Sequence, residues 1–326
     1  MALAEAKSEE KTPVTAVPES RQVAAVSVKN VLFATDFSAT SEGALPYAAA
    51  VCRRFGSTLH TAHVLSDTSL LLMTGGVDYV SMGTIYEDAQ AAAKEKLEQI
   101  AARLEGIPQR NYVRHGKVWE NLSVIVQENN IDLIVVGTHG RTGLGKLLLG
   151  SVAENILRHA SCPVLTVGPK ISGRNRLPAI PAKGHDLAPA ELECRQILVA
   201  TNYLRNAQQL VQAAVSLAAE FHARLTLLHV IEDYTELAAR PNSVEEGLRR
   251  LQALLPSDVT LPYPPETELD FGSPSELILK IAQDREADLI VLGARTASEV
   301  GGSHIPWSTA HEVIAHAHCP VLTLRA

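Results

Sequence analysis

VLFATD at residues 31–36 returns as ILVATN at 197–202, an offset of 166. His63 and Val64 return at the same offset as His229 and Val230. DLIVVG at 132–137 returns as DLIVLG at 288–293, an offset of 156, and CPVLT at 162–166 returns unchanged at 319–323, an offset of 157. Repetition of these segments in one order means tandem copies of one domain, each burying the same faces. The fall from 166 to 156 places a ten-residue net deletion between the second and fourth strands, largely in the connection after strand two.

Within the first copy, segments at 29–35, 58–65, 111–115, 133–136 and 163–167 read as strands. Helical patterns fall between them, at 42–55 (Ala44, Tyr47, Ala48 and Val51 on one face), 86–104, 118–128 and from 152. Residues 66–84, with Gly75, Gly76 and Gly83, read as a mobile connection. Strands alternating with helices predict an α/β fold, a parallel sheet with right-handed crossovers. Residues 169–193, with Pro169, Gly173, Pro178, Pro181, Gly184 and Pro189 and no apolar period, read as a linker. The expected organisation is a polar, disordered tail at 1–28, domains at 29–168 and 195–326, and a linker at 169–194.

A length of 326 residues with 46% hydrophobic and 20% charged content suits two soluble domains. A net charge of −7, 4% aromatics and no basic stripe argue against nucleic acid as a partner. No run approaches a membrane span, and Glu5, Lys7, Glu9, Glu10 and Lys11 break any secretory segment. Cys52, Cys162, Cys194 and Cys319 lie far apart without a CxxC, which fits a reducing compartment and predicts a cytoplasmic location.

The stretch that carries chemistry is DLIVVGTHGRTGLGKLLLGS at 132–151. An apolar strand breaks into a loop with glycines at 137, 140, 143, 145 and 150. Ser151 then opens a helix, with Glu154 three residues on in a capping-box pattern. A glycine loop between a buried strand and a helix N-terminus can offer several N–H groups to a phosphate. Two phosphate motifs come close and fail. GRTGLGK at 140–146 has Leu147 where a P-loop needs Ser or Thr for Mg²⁺, and Gly143-Leu-Gly145 has Leu148 in place of a third dinucleotide glycine.

Gly137, Gly140, Gly150 and Ser151 spell G-x2-G-x9-G-S, which resembles the nucleotide-binding motif of the ATP-binding universal stress proteins. The resemblance covers both copies. It implies two tandem, doubly wound, five-stranded parallel-sheet domains, Rossmann-like and similar to the adenine nucleotide alpha hydrolases. They would be packed as an internal pseudo-dimer through antiparallel strand-five edges. It also implies a nucleotide across the carboxyl ends of strands one and four, where open α/β sheets bind ligands on general grounds. By the same resemblance Asp36 contacts the adenine and ribose side, and the Val64 backbone reads adenine. Gly137 and Gly140 admit ribose and phosphates, and Gly150 and Ser151 contact phosphate. Thr35 lies beside this group; Thr138, His139, Arg141 and Val152 complete the candidate set, with Lys146 secondary. Read singly, Asp36 or Ser151 could equally cap a helix and the glycines could serve only turns. Without Cβ atoms, the N–H groups of Gly140 and Gly150 are expected to approach phosphate oxygens directly.

The second copy departs from the motif. Asn202 stands for Asp36, Thr296 for Gly140 and Trp307 for Gly150, while Gly293 and Ser308 persist. It is expected to bind no nucleotide. No metal-ligand spacing is found: His311-Glu312 begins HExxH, but Ala315 ends it, and His304, His316 and His318 only cluster in sequence. Cys162 and Cys319 read as small buried residues. No Ser–His–Asp set or paired carboxylates stand out, and nothing orients His139 as a base. The expectation is an ATP-dependent stress or regulatory module, with room for Mg²⁺, that is not an enzyme beyond weak hydrolysis. It would serve an unidentified regulatory protein and could form a homo-oligomer. The alternatives are an ATPase or nucleotidyl or phosphoryl transferase using the same pocket, and a structural domain without ligand.

Overall fold

The computed structural model describes residues 26–66, 79–138, 149–177, 180, 191–203, 207–232, 243–257, 259–294 and 307–325. The first half runs β1 (Asn30–Ala34), α1 (Ala39–Phe55), β2 (Thr58–Leu65), α2 (Tyr79–Ala102), β3 (Gln109–His115), α3 (Val118–Glu128), β4 (Leu133–Gly137), α4 (Ser151–His159) and β5 (Val164–Val167). The second half repeats this as β6 (Gln196–Ala200), α5 (Ala207–Phe221), β7 (Arg224–Ile231), α6 (Ser243–Leu254), β8 (Glu266–Phe271), α7 (Pro274–Asp284), β9 (Leu289–Ala294), α8 (Trp307–His316) and β10 (Val321–Arg325). All ten strands form one sheet in the order β3-β2-β1-β4-β5-β10-β9-β6-β7-β8. Every neighbouring pair is parallel except β5–β10 at the centre.

The central pair joins the halves as the strand-five edges predict. Leu165 faces Leu322, its own counterpart, with Val164 opposite Thr323 and Thr166 opposite Val321. The hydroxyl of Thr166 donates to the Val321 carbonyl at 3.0 Å and that of Thr323 to the Val164 carbonyl at 3.2 Å. This reciprocity marks a local two-fold axis through the Leu pair. Each face of the sheet carries a core that runs through both halves. Val31, Phe33, Ile197 and Val199 pack with α1, α2, α5 and α6 on one face. Leu32, Ala34 and Leu198 pack with α3, α4, α7 and α8 on the other. Strands covered on both faces must be apolar at successive positions, which is why VLFA and ILVA break the alternating pattern.

Three sequence expectations are corrected. α1 begins at Ala39 rather than 42 because Ser38 caps it, its side chain accepting the Ser41 N–H. α2 begins at Tyr79, so the end of the expected connection is helical; residues 67–78 lie outside the described residues. The shortening of the second half falls in this helix, 24 residues in α2 against 12 in α6, rather than mainly in the connection. The linker holds a 3-10 turn, Gly173–Asn175, anchored from both sides. The Tyr47 hydroxyl donates to the Asn175 carbonyl, and Arg174 Nε donates to Asp288 at 2.7 Å.

Candidate functional site

β1 and β4 are adjacent, with connections leaving to opposite sides of the sheet order, so their carboxyl ends flank the switch point of the first half. A cavity of about 1050 Å³ opens there. Its floor is Ala34, Thr35, Asp36, Val136 and Gly137; one wall is Val64, Ser66 and the α2 residues Ala89, Ala92 and Lys96. The other wall is Lys117 and Trp119 at the start of α3, and Gly150, Ser151, Val152 and Asn155 at the start of α4. The first turns of α1, α3 and α4 thus all open on one space. Each brings N–H groups without intrahelical acceptors and a partial positive charge.

Thr35, Asp36, Val64, Gly137, Gly150, Ser151 and Val152 therefore meet in one cavity. Thr138 is fully buried behind it. His139, Gly140, Arg141 and Lys146 lie outside the described residues. The Thr138 carbonyl accepts the Gly150 N–H at 2.7 Å, which draws the two ends of the glycine loop together. This corrects the expectation for Gly150: its N–H is already engaged. The N–H groups left at the mouth of α4 belong to Ser151, Val152 and Ala153.

Ser151 is also not the cap. Gly150 occupies the N-cap position without a side-chain bond, and Ser151 is the first helical residue. Glu154 reaches forward to Arg158 at 2.7 Å instead of back, so no capping box forms. Asp36 does not cap α1 either, since Ser38 does; its Oδ1 accepts the Ser38 N–H at 3.0 Å. The Thr35 hydroxyl lies 3.0 Å from that of Ser41 and accepts the Phe37 N–H at 3.0 Å, so it braces the turn out of β1. Gly137 has a packing reason besides access: a Cβ there would stand 2.7 Å from the Thr40 carbonyl oxygen of α1.

Three residues in the wall escaped the sequence reading. Phe37 sits at φ +60°, a left-handed conformation rare for a bulky side chain, and lies over His63 with ring centroids 4.3 Å apart. His63 Nδ1 donates to the Thr35 carbonyl at 2.8 Å, and Lys96 Nζ lies 5.1 Å from the centre of the Phe37 ring. The recurrence of His63 at His229 was the available signal. In the second half Tyr203, at φ +56°, lies against His229 with ring centroids 4.0 Å apart, beneath Arg250, and His229 Nδ1 donates to the Thr201 carbonyl at 2.8 Å.

The model of the universal stress protein family matches residues 27–168 and again 193–325. The chain belongs to that family. A universal stress protein of Methanocaldococcus jannaschii is 31% identical over 160 residues, which are 45% of this chain and 99% of that protein. Universal stress protein A homolog 1 of Coxiella burnetii is 34% identical over 140 residues, 43% of this chain and 95% of its own. The crystal structure of a universal stress protein from Archaeoglobus fulgidus aligns over 91% of this chain and 98% of its own, with a TM-score of 0.63 at 22% identity, a likeness of fold.

In this universal stress protein the two halves differ at the cavity. The Tyr203 hydroxyl donates to the Gly247 carbonyl at 2.7 Å, tying the turn after β6 to α6. Phe37 has no hydroxyl to make such a tie, and in its half the cavity runs between that turn and α2. Asn202, in place of Asp36, is exposed. Thr296 lies outside the described residues, and Trp307 opens α8. Burial pushes the Cys162 thiol up to about 11 and that of Cys319 to about 12, so both are protonated near neutral pH. Among the described residues no group of three His, Cys, Asp or Glu is placed to hold a metal, and no helix is long and apolar enough to cross a membrane.

Proposed function

We propose that this universal stress protein binds one adenine nucleotide per chain, ATP in the first instance, in the cavity of its first half and acts as a nucleotide-dependent stress-response module. The observation that carries the reading is the convergence of Asp36, the Val64 backbone and the open first turn of α4 on one cavity. Asp36 offers a carboxylate to ribose hydroxyls or the adenine edge, and a strand end like Val64 can read adenine through its backbone. Ser151, Val152 and Ala153 line the same cavity, and their N–H groups, with the Ser151 hydroxyl, would meet the phosphates. The cavity lies at the upper end of the range for small-molecule sites. Lys96 and Lys117 bring positive charge to its walls, and Mg²⁺ would be held by the phosphates themselves.

Mass spectrometry of the purified, denatured protein tests this reading directly. An adenine nucleotide is expected to co-purify with the intact chain and to be lost from Asp36→Ala, since a hydrogen-bonded charge contributes about 1.5–3 kcal/mol, tenfold or more in affinity. Absence of any nucleotide, with none bound on addition, would return the chain to the class of ligand-free structural domains. An ATPase or a nucleotidyl or phosphoryl transferase is the competing class. Steady turnover above about one per second, abolished in Asp36→Ala, would favour it.

A further inference from the structure

We propose that the two open edges of the ten-stranded sheet recognise each other, so that copies of this chain associate head to tail through β3 of one and β8 of the next. Among the described residues these edges pair with no strand of their own molecule, since the halves meet through β5 and β10. Unpaired edges are ordinarily blunted by charge, and charges of either sign serve that purpose. Here the sign is reversed between equivalent positions. Arg110 pairs in register with His60, and Glu266 with Thr226, the counterpart of His60. Arg114 pairs with Val64, and Asp270 with Val230. One edge is therefore basic where the other is acidic. Edge-to-edge contacts of like kind, β3 on β3 or β8 on β8, bring like charges together, whereas β3 on β8 brings opposite ones.

Direction and face agree with the charges. The halves run antiparallel to each other, so a copy displaced along the sheet presents β8 antiparallel to β3. In the register that sets Tyr112 opposite Glu268, Arg110 falls opposite Asp270 and Arg114 opposite Glu266. These side chains share one face of the sheet. Tyr112 donates to Asn129 at the end of α3 at 3.0 Å, and Glu268 takes Arg285 at the end of α7 at 2.7 Å. Arg285 also pairs with Glu266, which leaves Asp270 as the acidic group outside that cluster. Directly opposed residues of an antiparallel pair stand on the same face, as this contact needs. The contact is heterologous and therefore builds rows or rings rather than a closed dimer. It does not depend on a bound nucleotide.

Sedimentation velocity on the intact chain tests the proposal. At about 20 mM salt the mass is expected to rise with concentration, and at about 0.5 M salt, where charges are screened within a few ångströms, to return to that of one chain. Arg110→Glu/Arg114→Glu has two acidic edges and Glu266→Lys/Asp270→Lys two basic ones. Each should stay single at low salt, and a 1:1 mixture of the two should associate. Circular dichroism and the thermal midpoint establish that each variant is folded; if one is not, the other alone still reads the loss of self-association. A wild type that stays single up to about 200 µM at low salt, folded variants that associate like the wild type, or two folded variants that ignore each other would each overturn it.

Discussion

Gly137 answers two demands with one missing atom. It lines the cavity, and its Cα faces the Thr40 carbonyl at the start of α1, where a Cβ would come within 2.7 Å. Both atoms involved are backbone, so neither can swing aside. Gly137→Ala is accordingly expected to cost about 1–3 kcal/mol in urea unfolding, the range for overpacking, whether or not nucleotide is present. A cost confined to nucleotide-bound protein would mean the glycine serves the ligand alone. At this scale the sequence was legible where spacing decides. Thr35, Asp36, Val64, Gly150, Ser151 and Val152 do reach one cavity. It misled where one residue of helix phase decides: Ser151 looks like a cap, but Gly150 holds that place. The Phe37–His63 stack was not legible, because it needs a left-handed Phe that only the turn after β1 imposes.

At the scale of elements, the inner strands were legible because burial on both faces writes itself as unbroken apolar runs. Helix starts were less so; α2 begins among residues 79–85, where glycine and serine mask the period. What fastens one strand to the next was also hidden, because the partners lie far apart in sequence. Asp132 Oδ2 accepts the Lys29 and Asn30 N–H groups at 2.8 and 2.9 Å, pinning the start of β1 to β4. Asp288 does the same for Arg195 and Gln196 at 2.7 and 3.0 Å, and also takes Arg174 from the linker. Asp288 is buried, so removing its carboxylate strips the Arg195 and Gln196 N–H groups of their acceptor and leaves Arg174 with Glu286 alone. Asp288→Ala is expected to lower stability by about 2–4 kcal/mol in urea unfolding. A loss below about 1 kcal/mol would show that water replaces the carboxylate without penalty.

The whole molecule is an internal dimer whose halves have diverged. Leu165 meets Leu322 and Phe55 meets Phe221, equivalent residues facing each other across the local axis. Arg54 meets Glu220, also equivalent positions, at 2.9 Å. Opposite charges at equivalent positions are open only to a tandem chain, since a dimer of identical halves would set like against like. The same freedom let Tyr203 tie its turn to α6 in the second half while the cavity of the first half stayed open. Titration calorimetry of the intact chain with ATP or ADP reads the number of sites per chain. A stoichiometry near one is expected. Binding is also expected to vanish in Gly150→Trp, which copies Trp307 into a position whose φ of −64° any residue can adopt, with the thermal midpoint retained. A stoichiometry near two, or a folded Gly150→Trp that binds as tightly as the wild type, would contradict one site per chain.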